Sequence, residues 1–63
     1  MAQLSNEAWL INIENTAAEV ADMYGSEVVE SVFQRFQASS IEDLNPSDYP
    51  AVFSELYAIE VGN

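Results

Sequence analysis

Apolar residues recur at three- and four-residue spacing in three separate runs, and that interval is hidden from water by helices laid against one another, not by strands. In the first run Trp9, Leu10, Ile13, Ala17, Val20 and Tyr24 fall on one stripe, predicting an amphipathic helix over roughly 6–24 with Ser5 or Asn6 as its cap. Glu7, Glu14 and Asp22 project from the opposite side, Glu19 lies at the flank, and Ile11 is stranded among polar positions. Gly25 offers the positive φ that ends a helix cheaply, and Ser26 with Glu27 offers a cap and a first-turn acid for the next one.

From Glu27 to about Gln37, Val28, Val29, Val32, Phe33 and Phe36 make the second stripe. The β-branched valines lower helix propensity, but strand-like alternation is absent and the 28/32/36 and 29/33 pairs favour helix. Ala38-Ser39-Ser40 reads as a connector. Capping-box spacing at Ser39/Glu42 and Ser40/Asp43 predicts one short turn over Ile41–Leu44, stopped by Asn45-Pro46. Ser47 or Asp48 can cap the last helix, with Pro50 in its first turn and Gly62 at its end. Its stripe is Val52, Phe53, Leu56 and Ile59, with Tyr49 and Tyr57 at the edges. Three stripes and short connectors predict an all-α fold: one domain over 1–63, a small three-helix bundle with a short extra helical turn before the last helix.

A chain of 63 residues has little surface to bury, and no cysteine or histidine is present to staple it with a disulfide or a zinc ion. The core must therefore do the work, helped by self-association if the chain dimerises. Hydrophobic residues make up 49% of the chain, which is too many for a disordered acidic tail. Met1-Ala2-Gln3-Leu4 opens without a basic region or a long apolar run, so neither a secretory signal nor a membrane span is expected, and the reading is a complete cytoplasmic protein.

Eleven carboxylates face one cation, Arg35, and the net charge is −10. Such a surface is repelled by nucleic-acid phosphates and by acidic lipid headgroups, which argues against direct binding to either. A basic protein is the partner it suits.

Reaction chemistry finds little support. Asp43, Asn45 and Ser47 match the first, third and fifth ligands of a calcium loop, but Asp48 stands where that loop needs glycine and Ser54 where it needs glutamate. A capped turn between helices is the better reading, and no metal or cofactor is expected. Paired acids such as Glu42/Asp43 or Glu27/Glu30 lack a pocket and a nucleophile, so a solvated helix face is expected in place of an active site. Arg35 suits the last turn of the second helix, where a cation meets the helix dipole. The aromatic residues are expected in the core, with Trp9 and Tyr57 as candidates for an exposed contact.

Small domains commonly carry a net charge of about 2–8 in magnitude, and this chain exceeds that range. Glu7 and Glu14 stand about 10.5 Å apart along a helix, with Asp22 about 12 Å further, a spacing compatible with imitation of a phosphate row. In its size, its charge imbalance and its carboxylate-bearing helices Asn6–Tyr24 and Glu27–Gln37, the chain resembles the small acidic inhibitors of phages and mobile elements, the anti-CRISPR and anti-restriction proteins, several of which mimic DNA. The stretch Ser40-Ile41-Glu42-Asp43-Leu44-Asn45-Pro46-Ser47-Asp48-Tyr49-Pro50 is also similar to segments in short proteins of bacterial mobile elements. That resemblance implies a stoichiometric inhibitor without cofactors. In an RNA-guided nuclease it would sit in the basic groove that reads the PAM duplex or in the heteroduplex channel. The contacts expected for such an inhibitor are Glu7, Glu14, Glu19, Asp22, Glu27 and Glu30. The alternative is an interaction module or homodimer using apolar surface around Trp9, Ile11 and Tyr57, with the acids serving solubility.

Overall fold

A computed structural model describes residues 5–62; the opening Met1–Leu4, read above for a leader, lies outside them. Helix α1 covers Asn6–Tyr24, α2 Ser26–Arg35 and α3 Tyr49–Glu60, with two 3₁₀ turns at Ile41–Asp43 and Pro46–Asp48 between α2 and α3. The three-helix bundle expected from the stripes is present, and no strand occurs among the described residues.

Ser5 caps α1: its hydroxyl oxygen accepts from the Ala8 N–H at 3.1 Å. Gly25 ends that helix at φ 99°, donating its N–H to the Ala21 carbonyl at 2.8 Å. Ser26 does not cap α2. The chain re-enters helix immediately after Gly25, so Ser26 is already the first helical residue and no side chain caps that end. At its far end α2 stops two residues short of Gln37, which stands at φ 61°. There Ala38 N–H donates to the Phe33 carbonyl at 3.1 Å and Gln37 N–H to the Gln34 carbonyl at 2.9 Å. That pair of bonds is a Schellman ending, with the buried Ala38 following the left-handed residue and a glutamine where glycine is usual.

The connector holds two turns where one was expected over Ile41–Leu44. Asn45 does not merely precede a stop: its side-chain oxygen accepts from the Ser47 N–H at 3.1 Å and the Ser47 hydroxyl at 2.9 Å, capping the second turn. Neither Ser47 nor Asp48 then caps α3 through its side chain. Ser40 likewise makes no capping bond, while the Ser39 hydroxyl donates to the Asp43 carboxylate. Pro50 occupies the first turn of α3, where its missing N–H leaves no orphan, and Gly62 follows that helix at φ 80°.

The core is Ile13 and Val20 of α1, Val29, Val32 and Phe33 of α2, and Tyr49, Val52 and Leu56 of α3, closed by Ala38 and Leu44 from the connector. Tyr49 is buried instead of lying at the stripe edge, and Tyr24, counted in the first stripe, is 51% exposed because it stands in the last turn of α1 beyond the core. Thr16 is buried between Ile13 and Val20 in the same stripe. Trp9 meets Phe53 toward the start of α1 and Glu19 meets Glu60 toward the ends of both helices, so α1 and α3 run in the same direction. Helix α2 runs back antiparallel along the other flank of α1, with Ser26 beside Ala21 and Phe33 toward Glu14.

Candidate functional site

Two flanks of α1 differ in how they are closed. On the α3 side the Trp9 and Phe53 rings meet edge to face with centroids 5.9 Å apart, and Phe53 stacks on Tyr57 at 5.8 Å. Both Trp9 and Phe53 are half-buried, and together they seal the seam. On the α2 side, about two to three turns further along α1, the residues at the edge of the stripe are alanines.

There Ala17, Ala18 and Ala21 of α1 face Val29 and Phe33 of α2 across a groove of about 390 Å³. The groove runs from Ser26 beside the Gly25 turn to Ser39, Ser40 and Ile41 of the connector, and it opens to solvent. Its lining is mainly apolar. Glu14 stands on the α1 wall and Glu30 on the α2 wall, both exposed.

All the carboxylates expected to meet a partner, Glu7, Glu14, Glu19, Asp22, Glu27 and Glu30, are exposed, and they do not form one cluster. Glu14 and Glu30 share the groove. Glu7 lies two turns before Glu14 on the same side of α1, and Glu27 lies one turn before Glu30 on α2. Asp22 follows Glu14 by eight residues, so it is rotated by about 80° from the Glu7–Glu14 line and leaves the row expected from spacing. Glu19 turns toward α3, where it meets Glu60. The Glu60 carboxyl is held above its ordinary pKa by its hydrogen bond to Glu19, with desolvation and the Glu19 charge adding to the effect.

Arg35 does pair with an acid: its Nη2 lies 2.7 Å from Glu55 Oε1 of α3. The pair is open to solvent, with side chains 60% and 36% exposed, so it contributes at most about 1 kcal/mol. It does engage the chain's one Lys/Arg side chain.

The apolar patch considered for self-association is divided. Ile11 is 57% exposed, and it stands two residues from Trp9, about 200° around the helix. Since Trp9 faces Phe53, Ile11 points away from the aromatic seam. Tyr57, 51% exposed, remains beside it.

Among the described residues no group of three or more acids is placed to hold a metal ion, and no helix is long and apolar enough to cross a membrane. The groove itself was not foreseen. A signal for it exists in the alanines at 17, 18 and 21, because small residues on one edge of a stripe leave space where large ones would close it. Comparison with protein-family models, curated proteins and solved structures finds no match to this chain.

Proposed function

We propose that this protein is a non-enzymatic acidic inhibitor of a basic nucleic-acid-binding protein, a CRISPR effector or restriction nuclease, acting in the cytoplasm by occupying its DNA site. The observation that carries this reading is the net charge of −10 on a folded bundle whose single Arg is already engaged by Glu55. The remaining carboxylates have no Lys or Arg side chain of their own to meet, and their field favours a surface rich in Lys and Arg. Exposed Glu7, Glu14, Glu27 and Glu30 on adjoining helices supply a broad negative face toward the α1–α2 side. This supports imitation of phosphate charge as a distributed field more than as one straight row. A chain with no histidine or cysteine, and with an open groove in place of an enclosed cavity, also fits a binding role better than a catalytic one.

Affinity for purified CRISPR and restriction nucleases, measured across salt concentrations and with competing duplex DNA, tests the proposal. The expected result is tight binding that weakens steeply with salt and is antagonised by DNA. Binding indifferent to both would remove DNA-site occlusion.

A second reading, an interaction module or homodimer, draws on exposed Tyr57 near the end of α3 and Val61, which caps that helix four residues later. Self-association would bring like-charged surfaces together, which counts against it. Sedimentation at several concentrations decides the point, since a monomer throughout the range rules the dimer out.

A further inference from the structure

The α1–α2 groove joins two features that are uninformative apart. Its floor is apolar and shallow enough for close approach, because Ala17, Ala18 and Ala21 present only methyl groups beside Val29 and Phe33. Its walls carry Glu14 and Glu30, one on each helix, in a molecule of charge −10. An apolar trough between two helices is the seat for a third helix laid along it, and with no sheet edge among the described residues, strand addition has no template. A second copy of this chain is a poor occupant, since its own helices bring acids to acids. A neutral apolar helix would leave both glutamates without a counter-charge.

We infer that the groove is a docking site for a cationic amphipathic helix of the partner, with aliphatic side chains against Ala17, Ala21 and Phe33 and Lys or Arg reaching Glu14 and Glu30. This rests on the proposal that the partner is a basic protein, and it adds where contact is made and by what segment. The groove supplies the apolar contact that a purely electrostatic mimic lacks. It also separates the acids by role: Glu14 and Glu30 touch the docked helix, while Glu19 and Asp22 contribute only to the long-range field.

The test uses the full chain and a synthetic amphipathic Leu/Lys helix, alongside a scrambled peptide of the same composition and a Leu/Gln analogue of the same pattern. Binding is followed by amide chemical shifts and by titration calorimetry. The expected result is preference for the patterned Leu/Lys peptide, with shifts gathered at residues 14–21, 29–33 and 39–41. Affinity should drop about tenfold or more in E14Q/E30Q but much less in E19Q/D22N, which removes equal charge elsewhere. Ala18→Trp, an exposed change that fills the groove without touching the core, should also abolish the preference.

Equal binding of patterned and scrambled peptides, with shifts spread over the acidic surface, would overturn the groove while leaving the basic-partner reading in place. Groove binding by the Leu/Gln analogue as strong as by Leu/Lys would overturn the cationic occupant. No binding of any peptide would overturn the inference outright, while nuclease binding by the salt-sensitive assay would still judge the parent proposal separately.

Discussion

The two flanks of α1 are built from the same helix and face opposite outcomes. Toward α3, Trp9 and Phe53 close the seam with rings in edge-to-face contact; toward α2, alanines at 17, 18 and 21 leave a groove. Both flanks continue the same buried line of Ile13 and Val20, so side-chain volume at the stripe's edges sets the difference. A sealed edge adds burial and therefore stability. An unsealed edge leaves apolar surface beside charge, which is the composition of a recognition surface.

The largest effect should come from opening the core that both flanks share. Leu56 is fully buried, and Leu56→Ala should cost about 2–5 kcal/mol. A chain of this length has only about 3–9 kcal/mol to lose, so chemical denaturation should show a strongly destabilised or unfolded protein. Next is the sealed edge alone. Phe53→Ala removes a half-buried ring and its contact with Trp9, with an expected cost of about 1–3 kcal/mol and a shift in Trp9 fluorescence. If Phe53→Ala proved as mild as Ala18→Trp on the open edge, the contrast between the flanks would disappear.

A smaller change, of opposite sign, is expected at the end of α2. Gln37 occupies the left-handed region, which costs a non-glycine residue about 1–2 kcal/mol, partly offset by the greater freedom glycine has when unfolded. Gln37→Gly should therefore raise the melting temperature slightly without altering the groove walls.

The smallest effect sharpens a second contrast, between the two acids of α3. Glu55 faces Arg35, whereas Glu60 faces Glu19 and has a raised pKa. Because folded Glu60 holds its proton more tightly than it does in the unfolded chain, that stabilisation is complete below the ordinary carboxyl range and is lost as pH rises through the raised value. Glu60→Gln keeps a hydrogen-bond donor toward Glu19 and removes one charge. Melting curves from acid to neutral pH should show the variant gaining on the wild type as pH rises; parallel curves would mean the Glu19–Glu60 contact has no energetic consequence.

Helix number, the Gly25 break and most of the core were legible because periodicity and a glycine turn act locally. The end of α2 was not, since a glutamine at φ 61° carries no glycine signal and is fixed by Gln34 accepting its own N–H and Phe33 accepting that of Ala38. Asn45 hid its role for a similar reason: beside Pro46 it reads as a stop, yet its side chain starts a turn. The candidate surface was only half legible. Composition revealed its sign, but the placing of Glu14 and Glu30 on one groove, and the meeting of Glu19 with Glu60, depend on how α1 packs between α2 and α3. No spacing within one helix reports that.

Whether the negative surface exists to meet a cationic protein is tested most directly by association kinetics with a CRISPR or restriction nuclease that the protein inhibits. Wild type should bind at a rate that falls tenfold or more, an order-of-magnitude expectation, from low to high salt. The variant E7Q/E14Q/E19Q/D22N/E27Q/E30Q should associate slowly at every salt concentration and fail to protect DNA from cleavage. A neutralised variant that associates and inhibits as the wild type does would contradict the account.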